Sequence, residues 1–162
     1  MRPLFAVIMA TIAPLVAASE IEDMWDVATW EWQSSCKDLS NRCATASIVA
    51  GRGNHPELIK YLLKKAEKLP DNATYVSGRH IMCYQVSNGP NGFCLFFENL
   101  QTAGEWTFTA QDVREGLLVM QEKMKHDNGC KKRCAAAWRR GWAPDQRLKL
   151  DYVTEKVCEG LC

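Results

Sequence analysis

Little in this chain points to catalysis. It has only three histidines, His55, His80 and His126, and they stand far apart in the sequence. No Gly-x-Ser-x-Gly elbow, phosphate-binding glycine loop or His-Glu-x-x-His helix is present. Those motifs expose a nucleophile, cradle phosphate or hold zinc, so the sequence supports none of these three chemistries. No cofactor motif is present either, and none is expected. Charge of either sign is not in excess: 20 Lys and Arg stand against 19 Asp and Glu, for a net charge of +1. Near neutrality removes the drive for bulk nucleic-acid binding, so no nucleic-acid partner is expected. Beyond residue 16 no apolar run is long enough to cross a bilayer.

Cysteine, by contrast, is abundant, with eight in 162 residues. That suits one globular domain held by disulfides in an oxidising compartment. The N-terminus agrees. Met1-Arg2 gives a basic start, Leu4 to Val16 is apolar, and Val16-Ala17-Ala18 offers small residues for cleavage. This is the three-part pattern of a secretory signal peptide, residues 1–18. Cleavage there leaves nineteen basic and nineteen acidic side chains, a net charge of zero. The chain then divides into an acidic, tryptophan-rich extension, residues 19–35, and a domain, residues 36–162. The expected location is extracellular and the expected state a monomer.

The centre of the domain is Arg79 to Asn99. Two strand-like runs flank a turn rich in Asn, Gly and Pro, Ser87 to Gly92. If Cys83 stands opposite Cys94, Ile81 faces Phe96 and Arg79 faces Glu98. Alternation then places Met82, Tyr84, Val86, Phe93, Leu95 and Phe97 on one apolar face. The other face carries Arg79, Ile81, Cys83, Gln85, Cys94, Phe96 and Glu98. His80 and Glu98, the one pair suggestive of acid–base work, fall on opposite faces in this register.

Around the hairpin, Asn54 to Leu69 predicts a helix with Leu58, Ile59, Leu62, Leu63, Ala66 and Leu69 as its apolar stripe. Lys60, Lys64, Glu67 and Lys68 make its solvated side. Asn72-Ala73-Thr74 is an N-glycosylation sequon and marks an exposed loop. Leu100 to Phe108 reads as a loop. Thr109 to His126 predicts a second helix, opened by a Thr109–Asp112 capping box and striped by Val113, Leu117, Met120 and Met124. Cys130 to Pro144 interleaves Lys131, Lys132, Arg133, Arg139 and Arg140 with Trp138 and Trp142. It reads as a solvated cationic loop, and its bases join Arg79 and His80 as a candidate interaction surface. Arg147 to Val153 alternates as a half-buried antiparallel strand. Cys158 and Cys162 tether the tail. The Cys-x3-Cys spacings at Cys130–Cys134 and Cys158–Cys162 resemble metal half-sites, but export favours disulfides over zinc, so no metal is expected.

Taken in order, several segments resemble the killer protein 4 family of small secreted fungal toxins. They are Ser-Ser-Cys36-Lys with Cys43, Tyr75-Val-Ser-Gly-Arg-His-Ile-Met-Cys83, Gly92-Phe-Cys94-Leu-Phe-Phe, the helix ending in Asn128-Gly129-Cys130, and Leu148-Lys-Leu-Asp-Tyr-Val153. The resemblance spans Cys36 to Val153. It implies an α+β class, a disulfide-stabilised two-layer α/β sandwich in which two antiparallel helices cover one face of an antiparallel sheet. It also implies that Cys36 and Cys43 bond to Cys130 and Cys134, as Cys36–Cys130 and Cys43–Cys134. Two thiols four residues apart share one face if Cys130 to Cys134 is helical, which suits two outside partners. The function implied is a non-enzymatic toxin or effector acting on a host or competitor cell-surface target, with calcium-channel inhibition as the associated activity. The chain departs from the family in its acidic extension, its neutral balance and its Arg79-His80 before the Ile-Met-Cys83 strand. Two rival readings are a wall-polysaccharide module stacking sugars on Trp106, Trp138 or Trp142, and a small secreted hydrolase or nuclease built on His80 and Glu98.

Overall fold

Among the described residues the chain forms eight strands and three helical segments. The computed structural model describes residues 31–45, 55–85, 91–98, 107–126, 133–143, 145–155 and 158–161. The expected leader, most of the acidic extension, Trp106, Cys130, Lys131, Lys132 and Cys162 lie outside the described residues. The elements are β1 Trp32–Ser35, α1 Arg42–Thr45, α2 His55–Ala66, β2 Thr74–Val76, β3 His80–Gln85, β4 Gly92–Glu98, β5 Thr107–Thr109, α3 Ala110–His126, β6 Ala135–Arg139, β7 Arg147–Val153 and β8 Cys158–Leu161. Six strands form one sheet in the order β1-β6-β7-β4-β3-β8, and β2 pairs with β5 in a second, two-stranded sheet. Every pairing is antiparallel except β3 with β8, which is parallel. The class is α+β.

The central hairpin follows its sequence pattern over most of its length. Cys83 pairs with Cys94 and the two are disulfide-bonded. Met82, Phe93, Leu95 and Phe97 are fully buried, because alternation gives them one shared face and that face lies in the core. The expected register fails beyond Met82. His80, not Ile81, stands opposite Phe96, and a β-bulge lies between His80 and Met82. The extra residue, Ile81, is buried in the core. A bulge sets two residues against one, which moves His80 to the face that the plain register assigned to its neighbours. Arg79 is therefore not directly opposite Glu98. Instead the Gly78 amide donates to the Phe97 carbonyl, from a glycine whose φ of 79° suits the turn before the strand.

Four more sequence expectations give way to strands. Ala135–Arg139, expected in a cationic loop, lies inside the sheet between β1 and β7. Ala135, Ala136 and Ala137 are fully buried there, since their small side chains let neighbouring elements come close on both faces. Trp32–Ser35, expected in the extension, is an edge strand with Trp32 buried, so the domain starts before residue 36. Thr107–Thr109 forms β5 with Phe108 buried, where a loop and a helix start were expected. The tail adds β8 along β3, giving the otherwise antiparallel sheet a parallel edge.

The helices form as their stripes require. Leu58, Ile59, Leu62, Ala66 and Leu69 are buried, and so are Val113, Leu117 and Met120. Leu63 and Met124 are half-buried against the same core. At the start of α3 the Thr109 hydroxyl accepts from the Asp112 amide at 3.1 Å. The Asp112 carboxylate accepts from the Thr109 amide at 2.8 Å in return. This reciprocal box satisfies two otherwise unpaired donors. The end of α2 is closed from outside. Arg114 donates to the carbonyls of Ala66 and Leu69 and pairs with Asp71. A cation there meets both the orphan carbonyls and the negative end of the helix dipole.

Gly116 explains how α3 approaches the sheet. A Cβ at that position would lie 2.6 Å from Leu148 Cδ2 and 3.1 Å from the Trp32 ring. A side chain would hold α3 off both β7 and β1. Next to this contact an aromatic group fills the core. Phe97 stacks on Phe108 at 3.8 Å, and Trp142 meets Phe108 at 5.3 Å and Trp32 at 5.1 Å, edge-on. Burying rings of this size contributes about 1.5–3 kcal/mol each before entropy is counted.

Candidate functional site

Two groups of charged residues are built into the fold. The first joins β1, α3 and β6. Trp32 Nε1 donates to Glu115 Oε2 at 2.9 Å, Arg139 Nη2 donates to the same oxygen at 2.6 Å, and Gln111 donates to Oε1 at 2.7 Å. Asp112 stands 3.3 Å from Arg139 and Glu31 3.9 Å from it. The guanidinium also lies over the Trp32 ring, at 5.5 Å from its centroid. Glu115 is 3% exposed. Burial alone pushes its carboxyl up, but the hydrogen bonds from Arg139, Trp32 and Gln111 outweigh it and hold it below its ordinary value. Arg139, read from sequence as part of an open cationic surface, is turned inward to serve this carboxylate.

The second group occupies the sheet face opposite the hairpin's apolar one. The strand register lays it out in rows. Ser35, Ala136, Lys149, Phe96 and His80 succeed one another across β1, β6, β7, β4 and β3. Beside that row Glu98 is opposite Arg147, and on its other side Asp151 is opposite Cys94. Glu98 accepts from Arg147 Nε at 2.6 Å and Lys149 at 3.3 Å, and Lys149 reaches Asp151 at 3.2 Å. Gln33 and Trp138 are paired on the same face, joined by a 3.1 Å bond from the indole to the amide oxygen.

This face was expected to be the solvent side of β7. It is largely covered: Lys149 is 12% exposed and Asp151 8%. Part of the cover is the segment that leads into α1. The Ser40 amide donates to Asp151 at 3.0 Å. Cys43 is disulfide-bonded to Cys134, and its sulfur touches Asp151 Oδ1 at 2.9 Å. A disulfide sulfur has no proton, so that contact is not a hydrogen bond. Cys36 is disulfide-bonded as well, while its expected partner Cys130 lies outside the described residues. The Cys158–Cys162 tether also involves a residue outside them.

Among the described residues two sets of side chains have metal-ligand spacing, His80–Cys83–Cys94 and Cys43–Cys134–Asp151. In both, the sulfurs are spent in disulfides, and a thiolate is the form that binds metal. Burial lowers the pKa of His80 below the usual histidine value, which favours the neutral ring. That ring sits 5.4 Å from the Phe96 ring. Through the bulge it shares a face with Glu98, the reverse of the arrangement expected from sequence. Glu98 is already engaged by two cations.

The other expected surface residues are dispersed. Arg79 and Arg140 are exposed, and Arg133 is half-buried with its amide on the Cys43 carbonyl. Three strand spacings, about 14 Å, separate β3 with Arg79-His80 from β6 with Trp138 and Arg139. Trp138 is half-buried, whereas Trp142 packs into the aromatic core and is unsuited to stacking a sugar. Asn72 is exposed in the turn after α2. The Arg147-x-Lys149-x-Asp151 alternation was legible as one side of a strand, but its pairing with Glu98 across the sheet was not. Comparison with protein-family models, curated proteins and solved structures finds no match for this chain.

Proposed function

We propose that this chain is a secreted, disulfide-stapled, toxin-like fungal effector that acts on host or competitor cells by recognition rather than catalysis. The observation that carries this reading is the Cys43–Cys134 bond, with a sequence separation of 91 residues. It is a pairing the killer-toxin resemblance implies, and it joins α1 to the residue just before β6. The engagement of Glu98, Glu115 and Asp151 by internal partners supports the same reading, because a carboxylate held by cations is a poor proton shuttle. The signal pattern supports export, and the exposed sequon at Asn72 supports a glycan there. Calcium-channel inhibition is the activity the resemblance attaches to this function.

The test uses protein recovered from culture medium, whose deglycosylated mass should lack Met1 to Ala18 and eight cysteine hydrogens. Added to fungal and plant cells, it should arrest growth, and added calcium should relieve the arrest if channels are the target. Growth unaffected in both cell types would overturn the reading. Because His80 and Glu98 share a face, an RNA and polysaccharide zymogram is the matching control. Activity there that is lost in His80→Ala or Glu98→Gln would establish the hydrolase instead.

A further inference from the structure

The outward side of α2 has not been used by the core or by either charged group. Its apolar stripe, Leu58, Ile59, Leu62 and Ala66, is buried. At 100° per residue the opposite side brings Lys60, Lys64, Tyr61 and Lys65 together, and Lys68 follows in the turn after the helix. Lys60, Lys64 and Lys68 are exposed, and none forms an ion pair among the described residues. Lys60 and Lys64 stand one turn apart, about 6 Å along the axis, and Lys68 continues the row into the turn that ends α2. Glu67, exposed, lies at the margin of the row, and Asp71, just beyond, is held by Arg114. Beside the row is Tyr61, 39% exposed and one of two large apolar side chains exposed among the described residues. Its ring is fixed, edge-on to Tyr84 at 5.2 Å, with the Lys65 ammonium 5.0 Å from its centroid.

We propose that this lysine-and-tyrosine face of α2 binds a linear acidic polysaccharide, the row pairing with successive carboxylates and Tyr61 giving a sugar ring a surface to stack on. An anionic membrane fits less well. A surface-lying helix inserts its apolar face into the lipid, and here that face is occupied by the core. Nucleic acid fits less well too, because single strands are held on several aromatic platforms and Tyr61 is the one phenylalanine, tyrosine or tryptophan ring exposed among the described residues. The proposal rests on secretion only for where the ligand is met, and its test is independent of cell killing.

The probe is polygalacturonate, immobilised, with neutral glucan and anionic phospholipid vesicles in parallel. Purified oxidised protein should be retained on polygalacturonate at low salt and not on glucan, with affinity falling steadily as salt rises. The triple variant Lys60→Gln, Lys64→Gln, Lys68→Gln should bind about tenfold more weakly, and a Lys37→Gln, Lys125→Gln control should bind as wild type. Tyr61→Ala should weaken binding while leaving the salt dependence unchanged, which separates stacking from charge. Unchanged melting curves would show that the variants fold. No retention of wild type, equal losses in the triple variant and the control, or preference for vesicles would each overturn the proposal. Loss of growth arrest with binding intact would overturn the effector reading alone.

Discussion

Glu115 is a buried carboxylate at the junction of β1, α3 and β6. It receives a neutral indole, a guanidinium and an amide, and each comes from a different place in the chain. Replacing it with Gln keeps the shape and removes the charge, leaving Arg139 with its weaker neighbours Asp112 and Glu31. Glu115→Gln should destabilise the protein by about 1–3 kcal/mol. That is below the range for a fully buried pair, because Arg139 is 30% exposed. The sign of the pH effect follows from the lowered pKa. A carboxyl whose folded pKa is depressed contributes stability above its unfolded pKa and loses it as pH falls through the folded one. Denaturant melts should therefore show a gap between wild type and variant that is full at neutral pH. The gap should narrow once pH drops through the ordinary glutamate range, about 4–4.5, and below. A gap that stays constant from pH 7 to pH 2 would show that the charge is not what Glu115 supplies. At the same scale, the Glu122–Lys125 pair on the surface of α3 should contribute only a few tenths of a kcal/mol.

The elements differ in how openly the sequence declares them. The two long helices and the hairpin were legible because periodicity, caps and alternation all agree there, and most of the expected stripe residues are buried, although α3 also buries Glu115 and Gly116 outside its stripe. Two kinds of element were not. Ala135-Ala136-Ala137 has no alternation to read, and β6 forms because burial between β1 and β7 outweighs a weak intrinsic strand preference. β1, β2, β5 and β8 are three or four residues long, too short to carry a period. The bulge at Ile81 is likewise a tertiary decision: a buried isoleucine is gained at the cost of one break in the ladder. The polar site shared this fate, because Arg147-x-Lys149-x-Asp151 reads as a solvent face until the partner Glu98 and the covering Ser40–Cys43 segment are known. The hairpin invites a direct test. Leu95 is fully buried and lies between Met82 and Leu150. Leu95→Ala should cost about 2–5 kcal/mol, and Phe96→Ala, whose ring is only half-buried beside His80, clearly less. Equal losses in denaturant melts would show that the two faces are not distinguished as described.

At the scale of the whole molecule, two disulfides should differ in weight by the length of chain they close. Cys43–Cys134 spans 91 residues and Cys83–Cys94 spans 11. In the chain-entropy model these closures stabilise by about 4.6 and about 2.8 kcal/mol, respectively. Location widens the difference. Cys83 and Cys94 sit opposite each other on strands already paired by backbone hydrogen bonds, so the bond ties what the sheet already holds. Cys43 belongs to the segment over the polar sheet face, and Cys134 leads into β6. Without that bond, the Ser40 amide is the described backbone donor still holding the segment to Asp151. Cys43→Ala with Cys134→Ala should therefore lose more stability than Cys83→Ala with Cys94→Ala. It should also expose Asp151 and Lys149, seen as faster amide exchange at Ser40 and along β7. Peptide mapping under non-reducing conditions checks the connectivity first: Cys43 must be found linked to Cys134. Equal losses for the two pairs, with β7 exchange unchanged, would mean that the segment over the polar face is held by contacts other than this bond.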